Sequence, residues 1–117
     1  MTKRWTGPSP AQQRTQARIA RDLGEIGFAL PGSVTMRSYR CGKPNCACHT
    51  EPPRLHGPYI QWSHRAEGRT VHCNLAEEQL ADYQAFFHNA RRLQELTDEL
   101  EALTLAVIDN DPRLKRR

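Results

Sequence analysis

Apolar residues recur along the chain with two periods, and the switches between them outline the elements. Ile19, Leu23 and Ile26 follow one another at helical spacing, while Arg14, Arg18 and Arg21 line another side. The start of this stretch is well marked: Ser9 is a good N-cap, Pro10 suits the first helical position and Gln12 completes a capping box. Gly27 marks a stop before the Pro31-Gly32 turn, so a helix is predicted over residues 10–26. From Ser33 to Arg40 the period shortens to two. Val34, Met36 and Ser38 alternate with Thr35, Arg37 and Tyr39, which predicts a strand with one apolar and one basic or aromatic side. Tyr59 to His64 is again strand-like, with Ile60 and Trp62 on one face. Ala66-Glu67-Gly68 is turn chemistry, and Arg69 to Cys73 returns as the second arm of a hairpin. Two or three short strands are not stable alone, so a helix or a metal must support them.

Asn74-Leu75-Ala76-Glu77 is a second capping signature, opening a helix predicted to run to about Asp109. At ~1.5 Å per residue such a helix is on the order of 50 Å long, more than a small sheet can cover. Its apolar register also changes. Leu80, Tyr83, Phe87 and Ala90 form one stripe, whereas Leu93, Leu96, Leu100, Leu103 and Val107 form a heptad seam. A shift of this kind suits two successive packing partners, the sheet for the first half and the amino-terminal helix or another subunit for the second; the plainer alternative is that both halves serve one intramolecular core. The expected class is therefore α+β: an N-terminal helix, a small antiparallel sheet of two to three strands with a Cys/His loop, and a long C-terminal helix. The expected organisation is one domain over residues 1–112, with a metal-loop and hairpin head at 33–73, followed by a basic tail at 113–117.

Composition narrows the function classes. With 117 residues, 38% apolar, the chain has room for one modest core, and an enzyme with a deep substrate cleft is not expected. No apolar run approaches the ~18–20 residues that cross a bilayer, and the basic start MTKRWTGPSP lacks the apolar stretch of a secretory signal. A cytoplasmic, reducing location follows as the expectation, in which cysteines serve as ligands or free thiols. The net charge of +4 conceals segregation. Residues 1–73 carry eleven Lys/Arg against four acids, residues 74–112 two against nine, and the tail adds four more cations. A basic half beside an acidic helix suits a polyanion-binding surface; a solvated helix rich in Glu and Asp is the plainer alternative.

The loop after the first strand carries the sharpest chemistry. Cys41, Cys46 and Cys48 fall within eight residues, separated by Gly and Pro, with His49 adjacent and His56 beyond. Structural zinc takes four S/N ligands in a tetrahedron, and its binding supplies folding energy that a polar loop cannot gain from burial. A disulfide is disfavoured by compartment, an iron–sulfur cluster would draw in Cys73 as a fourth thiolate, and no CxxC redox motif is present. For the fourth zinc ligand His56 ranks first, then Cys73, then His49. His64, His72 and His88 read as ordinary strand or surface residues. Four protein ligands leave no open position, so the metal is expected to be structural and the protein not an enzyme.

Leu30-Pro31-Gly32-Ser33-Val34, the cluster Cys41-Gly-Lys-Pro-Asn-Cys46-Ala-Cys48, His56-Gly57-Pro58-Tyr59 and a long charged helix occur in that order. In this the chain resembles, over about residues 20–105, a family of small, uncharacterised, zinc-knuckle-like prokaryotic proteins with a CGKPxCxC…HGPY signature. That family often accompanies recombinases or transposases of mobile elements. The resemblance implies Cys41, Cys46, Cys48 and His56 as metal ligands. The chain departs from it in a longer spacer at Thr50 to Leu55, with Pro52-Pro53, and in Cys73, where the family tends to carry an aromatic residue.

Together these features lead to the expectation of a zinc-stabilised DNA-binding accessory protein of a recombination or transposition system. Arg37, Arg40, Lys43, Arg54, Arg65 and Arg69 are the expected phosphate contacts, with Arg14, Arg18 and Arg21 as a second group. Tyr39, Tyr59 or Trp62 are candidates to stack on an unpaired base, Trp62 being the more core-like of them. The tail Arg113-Leu-Lys-Arg-Arg117 is either a phosphate clamp or a solubilising end. The alternative is a protein-interaction adaptor. In it Leu93, Leu96, Leu100, Leu103 and Val107 dock onto a recombinase or transposase, or pair two copies into a homodimer.

Overall fold

The structure is a computed structural model that describes residues 4–115. Its elements are helix α1 (Pro10–Gly24), strand β1 (Ser33–Tyr39), a short 3-10 turn (Ala47–His49), strands β2 (His56–Ala66) and β3 (Arg69–Leu75), and helix α2 (Glu77–Asp109). The α+β class is as expected. The chain divides into two compact units: residues 30–87, and the two terminal segments 1–29 and 88–117. No helix of the described residues is long and apolar enough to cross a membrane.

In the terminal unit, α1 begins as its sequence dictates. Ser9 Oγ accepts the Gln12 N–H at 3.1 Å, Gln12 Oε1 accepts the Ser9 N–H at 2.9 Å, and Pro10 holds the first position. The helix ends two residues earlier than predicted, where the Glu25 N–H turns back to the Asp22 carbonyl and the Ile26 N–H to that of Leu23. Gly27 therefore has a different role. A side chain there would meet Asn89 Nδ2 at 3.3 Å, and that amide is bonded to the Phe28 carbonyl at 2.8 Å. Ile19 and Leu96 are the fully buried apolar side chains of this unit. Around them Arg18 is shared between Asp22 and Glu99, and Arg92 reaches Asp22 at 3.4 Å. The carboxylate of Glu99, followed by that of Asp22, raises the Arg18 pKa.

In the central unit, the three strands form an antiparallel sheet in the order β1-β2-β3. Glu67 and Gly68, at φ 53° and 78°, close the β2–β3 hairpin as a two-residue turn whose twist matches the strands. The capping signature at Asn74 is displaced: Asn74 and Leu75 are still ladder rungs opposite Gln61 and Ile60. The cap falls on Ala76, whose N–H is accepted by Gln79 Oε1 at 2.8 Å. One sheet face carries Val34, Ile60, Trp62, Val71 and Leu75, by register and burial. Against it the first turns of α2 bring Phe87, edge-on to Trp62 at 6.3 Å between ring centroids. Trp62 also donates its Nε1–H to the Pro31 carbonyl at 2.9 Å and stacks on His64. Met36 shares the parity of this face but is 63% exposed, so the edge strand overhangs the core.

Candidate metal centre

The loop between β1 and β2 winds back on itself through short backbone bonds. Cys46 N–H donates to the Lys43 carbonyl and His49 N–H to that of Cys46, while Thr50 and Arg54 N–H groups share the Ala47 carbonyl. This winding turns Cys41, Cys46 and Cys48 inward. Cys41 and Cys46 are half-buried and Cys48 fully buried. The fourth member arrives from β2. Between the rungs Arg37–Tyr59 and Tyr39–His56 the ladder advances two residues on β1 and three on β2, a bulge that swings His56 toward the loop. Gly57 makes that bulge feasible: its φ is 106°, and a Cβ there would lie 2.6 Å from the Arg37 carbonyl oxygen.

One ligand atom from each of Cys41, Cys46, Cys48 and His56 lies within 4.8 Å of all the others. The Cys41 and Cys48 sulfurs are 3.6 Å apart, and Cys46 Sγ is 3.2 Å from His56 Nε2. A tetrahedral ion with M–S of ~2.3 Å and M–N of ~2.0 Å sets these separations near ~3.8 and ~3.5 Å. The donor set therefore fits one ion without rebuilding the loop. All four cysteines are free thiols. The Cys46 thiol is pulled from 9.0 to about 6, first by the backbone N–H of Cys48, then by the Cys48 and Cys41 thiols. Burial pushes Cys48 upward. A pocket that stabilises one thiolate already pays part of the deprotonation a metal demands.

The lower-ranked ligand candidates are engaged elsewhere. Cys73 pairs with Trp62 in the β2–β3 ladder and lies outside the group, which removes the fourth thiolate that an iron–sulfur cluster would have used. His49 hydrogen-bonds the Cys41 carbonyl through Nε2 at 2.6 Å, tying the loop from outside. His72 is paired with Ser63 Oγ at 2.7 Å, and His88 is exposed.

The basic candidates divide between faces. Arg37 and Arg65 share the open face of the sheet, opposite to the one carrying Trp62. Arg69 pairs with Ala66, which places it on the other face. Arg40, Lys43 and Arg54 are exposed in the metal loop. Arg65 is partly committed, donating to Gly68 and Thr70. Of the second group Arg14 and Arg21 are exposed, whereas Arg18 is bound in its ion pairs and is not an available phosphate contact. In the tail, Arg113 is folded back on Asp111 and over the Trp5 ring at 5.4 Å, so it is no free clamp. Arg116 and Arg117 lie outside the described residues. The helix seam is also largely used within its own unit: Leu96 is 1% exposed, and Leu100, Leu103 and Val107 are half-buried, while Leu93 is 39% exposed.

Sequence parity missed the makeup of the open face as a whole. It carries Arg37, Tyr39, Tyr59, Gln61, His72 and Asn74 around a shallow groove of about 270 Å³. Tyr39 stacks on His56 at 5.5 Å and lies tilted to Tyr59 at the same distance. The neighbouring Tyr59 phenol pushes the Tyr39 pKa above its ordinary value. The signal was available in the alternation of β1, but the partner residues depend on strand register.

No curated protein and no solved structure matches the chain. A family profile described as Domain of unknown function (DUF6788) matches residues 10–85, which takes in α1, the metal loop, the whole sheet and the start of α2. The chain belongs to this family of domains of unknown function.

Proposed function

We propose that the protein is a zinc-stabilised nucleic-acid-binding domain, acting on DNA as an accessory of a recombination or transposition system. Three thiolates and one imidazole at tetrahedral spacing suit zinc, whose borderline softness matches S/N donors. With four protein ligands the ion is closed to substrate and acts by holding the loop and β2 together. The binding role rests chiefly on one observation: among the described residues, the strand positions of the open sheet face include no carboxylate but do include Arg37 and Arg65. Arg40, Lys43 and Arg54 add exposed positive charge in the metal loop, none of them in an ion pair among the described residues. Such a surface attracts phosphates without regard to sequence. The recombination setting comes from the family resemblance of the CGKP…HGPY signature.

The test is a salt-dependent anisotropy titration. Neutralising Arg37, Arg40 and Lys43 together should weaken DNA binding and reduce the log–log salt slope by roughly 0.9 per lost phosphate contact. Unchanged affinity and slope would reject this surface. The adaptor reading has less support, because Leu96 is buried within its own unit.

A further inference from the structure

Resting on the nucleic-acid reading above, we infer that the open sheet face takes unpaired nucleotides, with one base stacked on Tyr39. Attraction to phosphate alone does not distinguish a duplex from a single strand. The face, however, offers more than charge. The His56 ring stacks on Tyr39 and the Tyr59 ring lies tilted to it, each at 5.5 Å between centroids, and Tyr39 is still 48% exposed. A half-exposed aromatic ring on an open sheet is a stacking platform that any base can use, and a base inside a duplex cannot reach it.

The surroundings of the ring suit one base. The groove beside it, about 270 Å³, lies just under the ~300–1,000 Å³ of pockets that hold drug-sized ligands. Gln61 and Asn74 face each other across β2 and β3 on this same face. Their side-chain amides carry both donors and acceptors, the combination that pairs with a base edge. His72, with Nδ1 already bound to Ser63, has Nε2 left for a base or phosphate. Arg37, in the neighbouring rung, is placed for the adjoining phosphate. A protein surface recognised by an acidic peptide would need the cations but not the exposed ring with amides around it.

The stack of His56 on Tyr39 also joins the site to the metal centre. His56 gives Nε2 to the Cys/His group and its ring face to Tyr39, so whatever fixes His56 fixes the platform. The metal's service to binding is thus to hold a ring in place.

The experiment compares labelled dT12, rU12 and a dA12·dT12 duplex by anisotropy on the metal-loaded full chain. Both single strands should bind more tightly than the duplex. Tyr39→Ala should weaken single-strand binding roughly 5- to 150-fold, the range of one lost base stack, and change duplex binding by less than ~2-fold. Tyr39→Phe should restore it. Because Tyr39→Ala could loosen His56, metal content is measured on each variant. Independently, a 5-iodouracil-substituted dT12 cross-linked to the unaltered protein should mark the peptides holding Tyr39 or Tyr59. Duplex binding as tight as single-strand binding, or cross-links mapping elsewhere, overturns this inference and leaves the general nucleic-acid reading standing. A chain that binds none of the three probes removes both.

Discussion

Gly57→Ala probes the device that carries His56 to the metal loop. The new Cβ would stand 2.6 Å from the Arg37 carbonyl oxygen, 3.0 Å from the Tyr59 nitrogen and 3.1 Å from Tyr59 Cδ2. Two of these are backbone atoms of the β1–β2 ladder, so the clash cannot be relieved by rotating a side chain. The φ of 106° is itself costly for any residue with a Cβ. Strain and overpacking each contribute ~1–3 kcal/mol, giving a loss of roughly 2–6 kcal/mol. At ~4–8 °C per kcal/mol for a small domain, the melting transition of the metal-loaded central unit should fall by at least ~8 °C. Two other glycines separate the causes. Gly68→Ala has an equally left-handed φ of 78° but nothing within 4 Å, so only the conformational cost of ~1–2 kcal/mol applies. Gly42→Ala, within the metal loop, has neither problem and should be neutral or stabilising by up to ~1 kcal/mol. Cobalt(II) titration followed by its tetrahedral absorption gives the second readout, and Gly57→Ala should bind ~10- to 100-fold more weakly. If Gly57→Ala melts and binds cobalt like Gly42→Ala, the bulge does not position His56 and this account of the site is wrong.

Other outcomes follow from the same geometry. Cys48→Ser should abolish stoichiometric metal binding, whereas Cys73→Ser should retain it, as measured by elemental analysis of the purified variants. In metal-free protein Cys46 should be the first cysteine alkylated by iodoacetamide at neutral pH. Its thiolate is favoured above about 6, so the rate should collapse as pH falls through that value, and bound metal should protect it. Leu96→Ala should cost ~2–5 kcal/mol in the terminal unit, seen as a lower melting temperature, while cobalt binding stays unchanged.

Local chemistry made much of this molecule legible. The Ser9–Gln12 box, the Glu67-Gly68 turn and the apolar run to Asp109 are each specified by neighbours in sequence, and the structure has all three. Non-local pairing decided the rest. Asn74 looks like a cap in isolation, but its backbone is worth more as a rung opposite Gln61, so the cap moves to Ala76. His56-Gly57-Pro58 reads as loop because Gly and Pro punctuate it, yet a bulge lets β2 begin at His56. Arg65 and Arg69 look like one basic cluster; the turn between them reverses the chain so that register puts them on opposite faces. Leu93 fits a heptad by counting, but exposure of 39% removes it from the buried stripe that Leu96 continues.

Metal content tests the central claim most directly. Freshly isolated protein, analysed by plasma mass spectrometry alongside a melting curve with and without a strong chelator, should contain one zinc per chain and lose thermal stability when the ion is stripped. Material with no stoichiometric transition metal, melting identically in the chelator, would contradict the account at its root.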